Sequence, residues 1–248
     1  MEGPEVKRPL AGANWNLKIG RDPDQVVAEV AGLIKAHHLD FVAVCEASTY
    51  VGALKKASRR RGPLGKAGLK VLAYPHGSIP ARETAIVVRR RSKGGPGGRD
   101  KRLHDITNIG WERDPKNRSM GFHPGRESVS ARVGWLRLLA VHTPPGPFGK
   151  EYPRRRRSNL AAFAAHAEIA KRWARGLHLA TPRALQVGDW NRHPSDPVVD
   201  DTLGLTPWKI TGDGIDWAAG LNVEVTDVVR VHYGHSDHWP VLFTVSPT

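Results

Sequence analysis

The feature that most restricts the fold is a recurring unit: a short apolar run closed by an acid, an amide or an imidazole. "FVAVC" runs into Glu46, "LLAV" into His142, and "QVG" into Asp189, with Asn191 two residues on. Asn16 sits in "NWNLKIG", Asp216 in "GIDW", and Asp237 and His238 in "SDHW", just before the closing apolar stretch "PVLFTV". Any one of these could be a turn, because Gly, Asp and Asn all favour turns. Six in succession suggest strands whose ends meet at one rim and build an open cluster of oxygen ligands with two histidines. A carboxylate beside an imidazole is costly to bury unless each finds a partner. Asp237 and His238 therefore call for partners elsewhere in the chain.

The strand-like segments "GLKVLAYP", "ETAIVVRRR", "GWLRLLAVHTPP", "RALQVGDWN", "GIDWAAGL", "VEVTDVVRV" and "HWPVLFTV" alternate with two long helical patterns. The first pattern opens at Asp22, a capping residue followed by Pro23 at the first helical position, and places Val26, Val30, Leu33 and Ile34 on one face. The second begins near Pro153, with Leu160, Phe163, Ala167, Ala170 and Ala174 facing inward. "LDFVAVCEAS" is apolar almost throughout, as a strand buried on both faces requires. Many strands with few helices point to a mixed α/β layered domain. The 248 residues are read as one domain spanning 1–248, with the Gly-rich, charged stretch 92–128 as a mobile loop or hairpin insertion.

Lys and Arg number 38 against 24 Asp and Glu, a formal charge of +14. The excess is clustered in "KKASRRR" (55–61), "RRRSK" (89–93), "RDKR" (99–102) and "RRRR" (154–157). Such clusters are the footprint of a polyanionic partner, nucleic acid being the commonest, although an Arg-rich surface can also be merely solvated. With 40% hydrophobic residues and eight Trp, global disorder is excluded. No secretory signal pattern and no span-length apolar run is visible, and the single cysteine, Cys45, can form no internal disulfide. The expectation is a cytoplasmic protein with no membrane association, monomeric by default.

The order Asn16, Glu46, His142, "GDWN", "ID", "SDH" resembles the endonuclease/exonuclease/phosphatase superfamily, typified by pancreatic deoxyribonuclease and the apurinic-site endonucleases. The resemblance runs from about Trp15 to Val245. "VGDWN" and "SDHWPV" are its most specific pieces, with "DFVAVCE" and "LLAVH" in support. It implies a four-layer α/β/β/α sandwich of two packed mixed β-sheets flanked by helices. It also implies phosphate-ester hydrolysis with a divalent metal, magnesium or manganese. By the same resemblance Glu46 is the main metal ligand, with Asp237 and Asn16 close by or bridged through water. Such a set suits magnesium, which prefers hard oxygens and needs only one or two carboxylates.

An attacking water must lose a proton, and His238 has the pKa range for a base at neutral pH. The resemblance gives Asp216 the part of orienting His238, and Asp189 that of orienting or helping to deprotonate the water. Asn191 donates to a phosphoryl oxygen, and protonated His142 stabilises charge there. In the deoxyribonuclease branch that histidine has a carboxylate partner, and Glu83 is placed for the role. Arg113, Arg118 and Arg126, between two site-bearing strands, are assigned to substrate binding. Trp190 and Trp239 lie inside the catalytic motifs; packing is the commoner fate of a tryptophan, and a base-stacking face is the alternative for both, with Trp190 assigned to substrate binding.

His232, His235 and His238 could also be read as a zinc triad, but spacings of three do not converge in an extended segment. "GPLGKAG" (62–68) lacks the Gly-Lys-Ser/Thr ending of a phosphate-cradling loop. Three functions remain: a metal-dependent nuclease acting on DNA or RNA, a phosphatase or phosphodiesterase for a small phosphate ester or lipid headgroup, and a non-catalytic nucleic-acid-binding protein. The separated basic clusters favour the nuclease, because a phosphodiester backbone rewards an extended groove.

Overall fold

The computed structural model describes residues 8–73, 84–90, 98–105, 127–142, 183–191, 193–195 and 208–248. The helical pattern beginning near Pro153, and most of the stretch 92–128, lie outside them. Two six-stranded sheets are present. The first contains β1 (Leu10–Asn16), β2 (Phe41–Cys45), β3 (Leu69–Leu72), β4 (Ala85–Arg89), β11 (Val223–Arg230) and β12 (Val241–Pro247), in the order β11-β12-β1-β2-β4-β3. The second contains β5 (Gly98–Asp105), β6 (Glu127–Val133), β7 (Leu136–His142), β8 (Ala184–Asp189), β9 (Lys209–Asp213) and β10 (Asp216–Leu221), in the order β5-β6-β7-β8-β10-β9. Each sheet has one parallel pair at its centre, β1 with β2 and β7 with β8, and is antiparallel elsewhere. The two parallel pairs matter most, because they bring the carboxyl ends of four strands to the same end of the sandwich.

Strand alternation sorts the apolar residues into layers. Along β2, Phe41 and Ala43 face the second sheet, while Val42 and Val44 face outward. Along β7, Leu136, Leu138 and Ala140 fill the space between the sheets, while Leu139 and Val141 face the far side. The outer face of the first sheet is covered by α1 (Pro23–Ala36) and the short helices α2 (Val51–Ala57) and α3 (Pro63–Lys66). Asp22 caps α1, its side chain accepting from the backbone N–H of Asp24 and Gln25, and Val26, Val30, Leu33 and Ile34 are buried beneath it. "GPLGKAG" proves to be the turn of helix α3, with Leu64 buried. These layers make an α/β/β sandwich with two packed mixed sheets. Among the described residues no helix is long and apolar enough to cross a membrane.

Candidate active site

The same alternation that buries the apolar residues also delivers the polar ones. Ala13 and Trp15 of β1 pack outward, so Asn14 and Asn16 point into the gap between the sheets. The inner stripe Leu138, Ala140 of β7 continues to His142, and the stripe Leu185, Val187 of β8 continues to Asp189. On β10 the inner Ala218 is preceded by Asp216. Cross-strand register sets His142 beside Asp189 and Asp189 beside Asp216. At this end the inter-sheet core turns from apolar to ionisable.

Asn16 ties the two sheets together. Its Nδ2 donates to Glu46 Oε1 at 3.3 Å and to Asp189 Oδ2 at 2.9 Å, while its Oδ1 accepts from the Lys18 backbone N–H at 3.0 Å. Glu46, just past β2, also accepts from the Ile19 N–H through Oε2 at 3.1 Å. Asp189 is 2% exposed and accepts the Asn191 N–H through Oδ1 at 2.8 Å. His142 Nε2 stands 3.8 Å from Asp189 Oδ2, beyond hydrogen-bond reach. Among the described residues six non-glycines have positive φ, and three of them, Lys18, Glu46 and Asn191, stand here. Backbone held in that region costs about 1–3 kcal/mol and gathers at functional sites.

His238 reaches the cluster from the loop before β12. Its Nδ1 lies 3.1 Å from Asp216 Oδ2 and 3.9 Å from Asp189 Oδ2. Asp216 Oδ1 accepts in turn from Asn14 Nδ2 at 3.2 Å. The loop is fastened by Trp15 Nε1, which donates to the His238 carbonyl at 3.0 Å. Ser236 Oγ donates to the Asn16 carbonyl at 2.6 Å and accepts the His238 N–H at 3.2 Å. Asp189, Asp216 and His238 offer ligand atoms that all lie within 4.8 Å of one another.

This crowding moves two proton affinities. The hydrogen bond to Asp216 is the main cause that lifts His238 to about 9; burial opposes it, and the charges of Asp216, Asp189 and Asp237 add to it. Burial, followed by the charge of Asp216, pushes Asp189 up to about 6, against the hydrogen bonds from Asn16 and Asn191. An Asp216→Asn variant should therefore bring the His238 imidazole down from about 9 toward its ordinary 6.5, since the largest cause of the rise is gone while desolvation still opposes the charges of Asp189 and Asp237. Histidine ring titration by NMR in the metal-free protein measures this directly. A His238 value that stayed near 9 in the variant would show that Asp216 is not its main partner.

The remaining candidates go elsewhere. Asp237 is exposed and ion-paired with Lys18 Nζ at 2.9 Å, which holds its carboxyl below the usual range. Trp190 is fully buried, stacked on Trp217 at 4.1 Å with its Nε1 donating to the Trp217 carbonyl, so it has no face for a base. Trp239 is 46% exposed, edge-on to His232. His235 Nδ1 pairs with Glu29 Oε1 at 2.6 Å. The three histidines of the zinc alternative thus have three different partners. Glu83, Arg113, Arg118 and Arg126 lie outside the described residues. Cys45 is buried, with Sγ 3.1 Å from the Val141 carbonyl.

Sequence reasoning missed Asn14 and Lys18, and gave Ser236 no role. Asn14 was legible: it lies two residues before Asn16 in a strand and so shares its face. The basic clusters are the larger surprise. The Arg90 guanidinium donates to the Ser58 carbonyl, and β4 runs antiparallel to β2, so 55–61 and 89–90 meet at the amino end of β2. They do not flank the site.

No protein-family model matches the chain, and no curated protein matches its sequence. Solved structures do match. An endonuclease/exonuclease/phosphatase family protein from Bacteroides thetaiotaomicron has a TM-score of 0.63 at 13% identity, over 98% of this chain and 97% of that one. The 3'-5' exonuclease NExo from Neisseria meningitidis has a TM-score of 0.61 at 15% identity, over 94% and 98%. A mannosyl-6-phosphatase from Bacteroides thetaiotaomicron has a TM-score of 0.58 at 14% identity, over 95% and 99%. The chain therefore has the endonuclease/exonuclease/phosphatase fold, one that nucleases and phosphatases share.

Proposed function

We propose that this chain is a divalent-metal-dependent phosphoesterase that hydrolyses nucleic-acid phosphodiesters, with DNA as the first candidate. The observation that carries the reading is the joined cluster of Asp189, Asp216 and His238 at the inter-sheet mouth, with Asn16 linking it to Glu46. Likeness to an exonuclease and the charge of +14 support the nucleic-acid part. Two buried carboxylates and a third one amide away form a hard-oxygen set over-supplied with negative charge, as the raised Asp189 attests. That set fits magnesium or manganese. Glu46 and the Asn16 amide would hold the ion, and Asp237 would join only on exchanging Lys18. When bound, the ion polarises a phosphoryl oxygen and neutralises developing charge.

The two shifted groups divide the proton work. His238 as base must first give up a proton that Asp216 holds to about 9, whereas Asp189 is ionised above about 6. Asp189 thus takes the proton of the attacking water, and His238, as imidazolium, donates to the phosphoryl oxygen through Nε2, which no carboxylate among the described residues engages. Asn191 and His142 line the same rim and add donors. This assignment predicts a bell-shaped pH profile for kcat/KM: activity rises as Asp189 ionises and falls as His238 loses its proton. Both limbs move to lower pH when a divalent ion is held nearby. A profile that only rises toward high pH would instead make His238 the base.

The primary test is hydrolysis of supercoiled plasmid, bis(p-nitrophenyl) phosphate and p-nitrophenyl phosphate, with magnesium, manganese or chelator. The proposal expects metal-dependent cleavage of plasmid and diester. Turnover of the monoester alone would favour a phosphatase, a reading with one observation behind it: the Arg clusters at 55–61 and 89–90 lie away from the mouth. Metal-independent inertness toward all three would sink both.

A further inference from the structure

The end of the sandwich opposite the catalytic cluster is basic from one sheet to the other. On the first sheet the exposed loop Arg59, Arg60, Arg61 joins Arg90, whose guanidinium donates to the Ser58 and Leu69 carbonyls. Arg89 follows, its backbone N–H on the Asp40 carbonyl. Arg8 bridges to the second sheet: it pairs bidentately with Asp40, and its carbonyl accepts from Trp135 Nε1 beside the β6–β7 turn. There Arg132 sits opposite Arg137, and the Arg137 N–H donates to the Arg183 carbonyl. Strand direction fixes the separation. Leu136 opens β7, Arg137 follows it and His142 closes it, so Arg137 and His142 are about 17 Å apart at roughly 3.3 Å per residue.

Apart from Arg8 with Asp40, much of this charge is unpaired among the described residues. Among the described residues none of Arg59, Arg60, Arg61, Arg90 or Arg132 forms an ion pair, and the guanidinium bonds of Arg90 and Arg132 go to neutral carbonyls. Asp40 is taken up by Arg8, and among the described residues strand register also brings Glu224 on β11 and Asp100 on β5 to this end. The cations are almost all Arg, whose planar fork matches phosphate oxygens. A membrane surface is the rival polyanion, yet the exposed large hydrophobics among the described residues, Val229 and Trp239, lie toward the catalytic end. A lipid-docking face would carry apolar side chains to insert.

We propose that this pole is a second nucleic-acid-binding surface, holding a phosphodiester backbone electrostatically and without base contacts, apart from the catalytic mouth. It does not depend on the chain being a nuclease, since a surface of this kind tethers the protein to nucleic acid whatever the site hydrolyses. Binding of this type is weakly sequence-selective and steeply salt-dependent.

The test is fluorescence anisotropy of a labelled 30-base-pair duplex in chelator, across a salt series, with the full chain. A His238→Ala variant should bind as the wild type does. The triple variant Arg59→Ser/Arg60→Ser/Arg61→Ser, whose side chains are exposed, should lose at least about tenfold in affinity at 0.1 M salt. Its log–log salt slope should become shallower by about 2–3. Its turnover of bis(p-nitrophenyl) phosphate should be unchanged. Should the triple variant fold poorly, Arg132→Ser on the other sheet is expected to lower the slope by about 1. Unchanged affinity and slope in the folded variants would overturn the proposal. So would duplex binding that vanishes with His238→Ala, or loss confined to phosphatidylserine vesicles. If the wild type hydrolyses nothing, the proposed activity fails while the binding result is read independently.

Discussion

Replacing Asp189 with Asn should lower kcat/KM for a phosphodiester by about 10²–10⁴-fold while leaving the protein folded. The loss is the contribution of a positioned base, and Asp189 is a buried carboxylate standing 2.8–3.9 Å from Asn16, Asn191, His142 and His238. Its effect on stability is smaller because two terms oppose. The folded-state value of about 6 lies above the unfolded one, so ionising Asp189 costs the native state, and that cost is complete at neutral pH. The neutral amide removes it. Against this, an amide N–H set toward Asn16 Nδ2, now 2.9 Å from Asp189 Oδ2, meets a donor with a donor. The melting temperature should therefore change little at pH 7.5. Below about pH 4, where the native carboxyl is already protonated, the variant should be the less stable of the two. Kinetics and thermal melts at both pH values check the pair of expectations. An unfolded variant, or one that keeps full activity, would show Asp189 to be structural or idle.

The pH argument for stability has a counterpart at His238. Its value is raised to about 9, so its pairing with Asp216 stabilises the fold fully below the unfolded value near 6.5 and is lost as pH rises through 9. Asp189 disfavours the fold as pH rises through 6. Between these values the cluster contains a destabilised carboxylate beside a stabilised imidazolium. That arrangement suits proton transfer better than it suits folding.

Which parts of this could be read in advance follows from the geometry of a strand. A polar residue that continues an inward apolar stripe must either meet a partner across the gap or not be buried at all. Thus His142, Asp189 and Asp216 announce themselves at the ends of their inward stripes, whereas Glu46 continues the outward Val42–Val44 stripe and reaches the site through its positive φ. The pairing of His238 with Asp216, 22 positions away, came from the family resemblance, since neither residue's local pattern names the other. Strand direction was harder to read. The Arg run after "AIVV" closes β4 much as His142 closes β7, yet β4 is antiparallel to its neighbour β2 and delivers its Arg residues to the far end. Local pattern says that a strand ends in charge; only the pairing says at which pole. Trp190 teaches the same lesson about faces: it sits between two active-site residues in sequence, and the alternation turns it into the outer core beside Trp217.

Gly188 is the glycine whose replacement should damage fold and site together, and its reason differs from the one its neighbours suggest. In "VGDWN" it looks like the start of a turn, and Asn191, with φ of 50° and its N–H on Asp189 Oδ1, does belong to one. Gly188 itself is inside β8, paired with Val141 on one side and Trp217 on the other. A Cβ there would lie 1.8 Å from the Val141 carbonyl oxygen and 2.6 Å from its carbon, both backbone atoms that cannot rotate aside. β7 and β8 would have to part at the residue pair directly before His142 and Asp189. Gly188→Ala should therefore cost about 3 kcal/mol or more, at or beyond the upper end for overpacked cores, and should abolish turnover in whatever protein still folds. Gly12→Ala is the control. Its Cβ meets ring atoms of Phe41 and Phe243 at 2.4–2.8 Å, side chains that can give way, so the cost should be about 1–3 kcal/mol with activity retained. Denaturant midpoints and diester hydrolysis for both variants decide the matter. Equal losses at the two sites would mean that the β7–β8 approach is ordinary packing, and that the His142–Asp189 register does not depend on a missing Cβ.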